Sequence, residues 1–315
     1  MDREPGYVAL YRTGKLQRLA KAAHELLRQC QLCPRVCQAD RLSGERGKCL
    51  TATEAVVASY GPHVGEEAPL VGRQGSGTIF FTHCNLRCVF CQNSSISQMG
   101  EGKKVASNEL AGMMLSLQSR GCHNVNLVTP THVVPQILEA LLIAAAKGLS
   151  IPLVYNSGGY DSVETLKLLE GVIDIYMPDM KYADPEVSLK YSEVAEYPAV
   201  NRAAVKEMHR QVGDLELDSQ GVAIRGLLVR HLVMPSGLAG TDEVVHFLAE
   251  EISPSTYLNV MDQYRPWHKA FQIPQLSRPV SRQEFVQAVE FARRAGLSRL
   301  DRLSHSIARF PFEMR

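Results

Sequence analysis

From residue 77 onward the chain alternates short apolar runs with longer stretches in which apolar residues return every three or four positions. The apolar runs are 77–83, 125–128, 151–155, 172–177, 224–234 and 257–261. Each is bounded by glycine, proline or polar residues, as buried strands are. Between and after them, 107–121, 133–147, 161–170, 241–251 and 281–295 carry helical periodicity, with Ser107 and Thr241 read as N-caps. A more polar, helical and looped stretch fills 184–219. Counted from Thr78, six strands alternate with six helical segments. Such alternation predicts an α/β fold with a parallel sheet and right-handed crossovers. The sheet either closes most of a β/α barrel or lies open and doubly wound. Both arrangements put functional groups at the carboxyl ends of the strands.

Ahead of this region, Leu16, Leu19, Ala20, Ala23, Leu26 and Leu27 mark a helix over 8–29. A glycine-rich, β-rich connector occupies 51–77. The longest purely apolar run, 140–146, is too short to cross a bilayer, and the first residues resemble no signal peptide. A net charge of +1 without long runs of either sign gives no electrostatic case for nucleic acid or an acidic membrane. A soluble, cytoplasmic protein is expected, and in that setting its eight cysteines point to metal or redox chemistry rather than disulfides.

Seven of those cysteines fall into two groups. Cys84-x3-Cys88-x2-Cys91 lies just after the first strand of the alternating region. Three thiolates on one loop can hold three irons of a cubane cluster and leave the fourth open to a reactant. Zinc is the competing reading, with His83 as the fourth ligand. The second group, Cys30-x2-Cys33-x3-Cys37-x11-Cys49, folds back through the turn residues 43–47. Four thiols suit structural zinc and a complete Fe-S cubane equally well. Cys122 fits neither group and is read as a core thiol.

Polar residues gather after the later strands. They include Thr129-Pro-Thr-His132, Asn156-Ser157, Asp179 and Lys181, Arg230, and 262–265. Together with Cys84-x3-Cys88-x2-Cys91 and its aromatic Phe90, this arrangement resembles the radical S-adenosylmethionine (radical SAM) enzymes. The Met177-x-Asp179-x-Lys181 stretch is similar to that of the branch related to the activating enzyme of pyruvate formate-lyase. Within that branch the chain looks like a subgroup carrying an extra N-terminal four-cysteine unit.

The resemblance implies an incomplete six-stranded (β/α)6 TIM-like barrel over 75–300. It would follow a helix, four-cysteine extension and connector over 1–74 and precede a tail over 301–315. It also implies a 4Fe-4S cluster on Cys84, Cys88 and Cys91, with SAM as a cofactor. Asp179 and Lys181 would lie around the methionine end of SAM, Asn156 and Ser157 nearby, and Phe90 beside the adenine. Many members hold the SAM amino group with a Gly-Gly-Glu stretch after the second strand. Here Thr129-Pro-Thr-His132 stands in that place, so Thr131, His132 or backbone carbonyls take over the task or SAM is held differently; His132 itself reads as a hydrogen-bonded structural residue.

The implied chemistry is reductive cleavage of SAM to a 5'-deoxyadenosyl radical that removes hydrogen from a substrate. An external donor of the flavodoxin or ferredoxin type would supply the electron. In the activating enzymes the substrate is a glycyl residue of a partner protein, so a protein or peptide substrate is expected. No residue identifies the hydrogen acceptor. A non-catalytic Fe-S electron carrier or assembly protein is the alternative, and a nucleic-acid-modifying role comes third.

Overall fold

All six apolar runs become strands of one parallel ladder in the computed structural model, which describes residues 4–301. The tail expected from residue 301 lies, beyond that first residue, outside the described residues. In chain order the strands are β1 (Ala55–His63), β2 (Ser76–Phe81), β3 (Lys103–Val105), β4 (Val125–Val128), β5 (Leu153–Ser157), β6 (Ile175–Pro178), β7 (Glu216–Leu217), β8 (Ala223–Leu232) and β9 (Tyr257–Met261). The helices are α1 (Gly6–Arg12), α2 (Lys15–Glu25), α3 (Ala68–Val71), α4 (Ser94–Ser97), α5 (Ser107–Ser119), α6 (Val134–Ala146), α7 (Val163–Leu168), α8 (Pro185–Ser192), α9 (Tyr197–Val212), α10 (Thr241–Phe247) and α11 (Arg282–Arg294).

The parallel order β2-β4-β5-β6-β8-β9 follows the chain, and a helix separates each consecutive pair. The fold is therefore α/β with a mostly parallel, barrel-like sheet. Antiparallel β1 extends the sheet beyond β2, and β3 lies outside β1. Among the described residues no ladder joins β9 back to β2; the far side of Leu258 instead bridges Leu300.

Strand pleating divides the apolar residues into two sets. Leu127, Leu153, Tyr155, Tyr176, Leu227, Val229 and Leu258 join the large core shared with α5, α6 and α9. Their neighbours Val154, Ile175, Met177, Leu228 and Tyr257 form a separate inner cluster. Leu70 of α3 completes that cluster, and its carbonyl accepts from Asn124 just before β4. The connector thus closes the amino-terminal end of the parallel strands.

Five local expectations are corrected. The helix expected over 8–29 is two helices, because Gly14 takes a left-handed φ of 70° between α1 and α2. Strands expected to start at residues 151 and 172 start at Leu153 and Ile175, the preceding apolar residues belonging to loops. Ser107 is not an N-cap: the Ala106 N–H donates to Glu109, while the Ser107 hydroxyl donates to Glu139 at 2.8 Å. Thr241 is likewise displaced by Gly240, whose φ of 66° favours glycine. Among the described residues no helix is long and apolar enough to cross a membrane.

The Thr241 hydroxyl pairs instead with His231. Met180 O can only accept, so His231 Nδ1–H donates to it at 2.7 Å, and Nε2 accepts from Thr241 Oγ1 at 2.9 Å. Burial lowers this imidazole from 6.5 to about 4. An unfolded chain takes up this proton near pH 6.5, while the folded state refuses it until about pH 4. The group's contribution is therefore complete above pH 6.5 and lost as pH falls towards 4. Unfolding titrations of wild type and His231→Asn should differ in slope there by about 1.4 kcal/mol per pH unit. Parallel pH curves would remove His231 as the source.

Candidate functional site at the carboxyl ends of the strands

The triple-cysteine loop leaves β2 and runs against α8. Each thiol receives a polar neighbour. Cys84 Sγ accepts from Leu86 N at 3.4 Å, Cys88 Sγ from Ser192 Oγ at 3.0 Å, and Cys91 Sγ lies 3.2 Å from Ser97 Oγ. Burial pushes the Cys84 thiol up to about 12, and raises Cys88 despite the nearby Lys181 cation. Without metal these two thiols stay protonated at neutral pH, whereas metal-bound ones are deprotonated. A soft, hydrogen-bonded set of three sulfurs fits the open-site cubane. Among the described residues no three His, Cys, Asp or Glu side chains converge tightly enough to hold a single metal ion.

Phe90 lies beside these sulfurs in an aromatic cluster. Its ring meets Tyr264 edge-on at 5.8 Å and Tyr182 at 6.3 Å. The Tyr182 hydroxyl in turn lies 2.7 Å from Ser192 Oγ, the donor to Cys88. One row of contacts therefore runs from the aromatic wall to a cysteine sulfur.

Three polar residues predicted for the site come together around Arg230. Its Nε donates to Asp179 Oδ1 and its Nη2 to Asn156 Oδ1, both at 2.8 Å. Lys181 Nζ donates to the other Asp179 oxygen at 2.5 Å. Burial alone would raise the Asp179 carboxyl, yet Arg230 and Lys181 hold it below the usual range. Lys181 stays above its ordinary value against burial, through Asp179 and the Cys88 thiol. The turn before this network depends on Gly159, at φ 73°. The Gly159 and Asp179 carbonyls both accept from Asn201 Nδ2 at 2.9 Å.

Thr131 and Ser157 meet elsewhere. Thr131 Oγ1 and Ser157 Oγ each donate to the buried Asp161 at 2.6 Å, and Tyr155 OH adds a third bond at 3.0 Å. Both predicted hydroxyls thereby tie the loops after β4 and β5 together. His132 is buried, with Nε2 2.9 Å from Thr82 O, and burial lowers it to about 3. Its place is that of a neutral structural residue.

The four-cysteine segment lies against this end of the sheet. Arg41, wholly buried, donates to Ala52 O at 2.8 and 3.0 Å and to His132 O at 2.8 Å. Arg35 donates to Asn85 O at 2.9 Å, and Arg87 to Lys48 O at 2.8 Å. Asn85 lies between the groups: its Oδ1 is 3.9 Å from Cys84 Sγ, and its amide bears on the Cys33 thiol. Burial pushes Cys33 up to about 12, with Cys49 and Cys30 close enough to add to the effect. Gly47 is required beside Cys37, because a methyl there would overlap the sulfur.

Sequence reasoning placed Arg230 at a strand end without a role and missed Asp161 and Ser192. An arginine inside the apolar run Leu227-Leu-Val-Arg-His-Leu-Val233 was a usable signal, since a buried cation demands a partner. Nothing local to Ser192, 104 residues from Cys88, indicated a sulfur contact.

Residues 78–232 match the family model of the Radical SAM superfamily. The Methanocaldococcus jannaschii protein MJ0674 is 33% identical over 285 residues, covering 87% of this chain and 77% of the relative. Two solved structures are more distant. Native anSMEcpe with bound AdoMet shares 13% identity at a TM-score of 0.45, over 68% of this chain and 57% of that one. HydG, a maturase of FeFe hydrogenase, shares 16% at 0.47, over 69% of this chain and 48% of that one. The chain spans about half the length of these two structures.

Proposed function

This chain belongs to the radical SAM superfamily, and we propose that it is an iron-sulfur enzyme that cleaves SAM reductively and takes a hydrogen atom from a substrate. The observation carrying this reading is the set of three hydrogen-bonded thiols, with Cys84 and Cys88 within electrostatic reach of Lys181, itself fixed by Asp179. Cys84, Cys88 and Cys91 would hold a 4Fe-4S cluster, which would supply the one-electron chemistry of SAM cleavage, the electron coming from a flavodoxin- or ferredoxin-type donor and the products being methionine and, with the substrate's hydrogen atom, 5'-deoxyadenosine.

The chain's own residues hold that chemistry in place. Lys181 offsets negative charge near Cys84 and Cys88. Asp179 restrains Lys181 and Arg230 together, and Arg230 carries the restraint to Asn156. Phe90, Tyr182 and Tyr264 exclude water beside the sulfurs. The Asp161 carboxylate, after β5, accepts from Thr131, whose loop lacks the family's usual carboxylate.

The activating-enzyme likeness favours a glycyl residue of a partner protein as the hydrogen source. The spacing of the second thiol group supports a further centre on Cys30, Cys33, Cys37 and Cys49, zinc or an Fe-S cluster by sequence, and the wider separation of the thiols than a single ion needs favours the cluster. Anaerobically reconstituted protein given dithionite and SAM is expected to release 5'-deoxyadenosine slowly without added substrate, measured by chromatography. Absence of that product with the cluster intact would replace this reading with an electron carrier.

A further inference from the structure

The loop between β1 and α3 brings two consecutive carboxylates, Glu66 and Glu67, against residues of β4, β8 and β9. Glu67 Oε1 accepts from Asn259 Nδ2 of β9 at 2.9 Å, while Oε2 is buried without a partner. Glu66, its side chain 9% exposed, stands 4.0 Å from Arg230 Nη1 and 3.5 Å from His63 Nδ1. Neither contact closes to a good hydrogen bond, and Arg230 already serves Asp179 and Asn156. Asn126 of β4 has no solvent exposure, and its amide bears on the Glu66 carboxyl without either of its atoms closing a hydrogen bond of good geometry.

Glu66, Glu67 and Asp179 crowd around two cations, Arg230 and Lys181, with the titratable His63 beside Glu66 and burial raising the Glu66 carboxyl. Buried carboxylates without a full set of partners are costly. Two carboxylates and an idle amide in one enclosed place offer several acceptors to an incoming N–H group. Both glutamates also lie outside residues 78–232, the stretch matched to the family, whereas Asp179, Lys181 and Arg230 lie within it.

We propose that Glu66, Glu67 and Asn126 bind a cationic nitrogen, a primary ammonium or guanidinium, carried by the substrate whose C–H bond is broken. The identity of that group as part of the substrate rests on the radical SAM reading; its binding does not. A ligand N–H would give Glu67 Oε2 the donor it lacks, and Asn126 would orient it.

The test uses reconstituted protein without SAM, titrated calorimetrically with n-butylammonium chloride at fixed ionic strength. Neutral n-butanol and magnesium chloride are the comparison probes. Saturable millimolar binding of butylammonium and none of butanol is expected, as suits a ligand of so few atoms. Glu66→Gln and Glu67→Gln should each weaken it at least about tenfold. Asn126→Asp, which adds a carboxylate, should tighten it and supplies a readout of opposite sign where a glutamine variant fails to fold. No saturable binding, equal binding in both glutamine variants, or magnesium binding that butylammonium cannot displace would overturn the proposal. Because no electron or SAM is involved, failure here is distinct from failure to form 5'-deoxyadenosine.

Discussion

Alanine at Cys84, Cys88 or Cys91 is expected to abolish 5'-deoxyadenosine formation and strip the protein of the iron bound at this loop. Each position would hold one iron, so deletion leaves two thiols in surroundings that disfavour a bare thiolate, Cys84 being pushed up to about 12 by burial. The neighbouring donors Leu86 N and Ser192 Oγ add hydrogen bonds to sulfur but cannot replace it. Iron and sulfide analysis with visible absorbance reads the effect. Cys122→Ala is the control: this thiol is 3% exposed in the main core, and its loss should cost about 1 kcal/mol with iron content unchanged. Full iron occupancy and product formation in a Cys84, Cys88 or Cys91 variant would contradict the assignment.

Gly159→Ala should lower unfolding free energy by about 3 to 5 kcal/mol, the second large effect. The position has φ 73°, and an added methyl would run into the Asp179 carbonyl oxygen and the Asn201 amide. Neither obstacle yields cheaply, because Asn201 holds both the Gly159 and Asp179 carbonyls and Tyr197 OH donates to Gly158 O at 2.9 Å. Moving Asp179 also moves the partner of Lys181 and Arg230, so product formation should fall with stability. Gly14→Ala separates backbone strain from collision: φ is 70° there but no atom lies within 4 Å of the new methyl. Its cost should be about 1 to 2 kcal/mol. Equal melting temperatures for the two variants would show that the collision is absorbed.

Repeating apolar runs were enough to reveal six parallel strands, because a buried strand and an amphipathic helix leave different periods, whereas the choice of a barrel over an open doubly wound sheet came from the family resemblance. Strand ends then located Asp179, Lys181 and Asn156, which do share one network. Its centre, Arg230, depends on contacts 51 and 74 residues away, which no local pattern encodes. Thr131 and Ser157 were legible as polar loop residues, but their common partner Asp161 depends on three-dimensional placement. Helix caps failed for a simpler reason: Ser107 and Thr241 have the right chemistry, and other partners claimed their hydroxyls.

An unclosed barrel has edges where a closed one has none, and free backbone groups along an edge invite other chains. Here the side beyond β2 ends in three-residue β3, whose exposed Lys103 and Lys104 discourage further pairing. At β9, Leu258 N donates to Arg299 O at 3.0 Å, and Asp301 N donates to Leu258 O at 2.9 Å. The opening between β9 and β2 is thus bordered by strands whose outward backbone is already engaged. A substrate approaching from that side meets side chains rather than a template for β-aggregation.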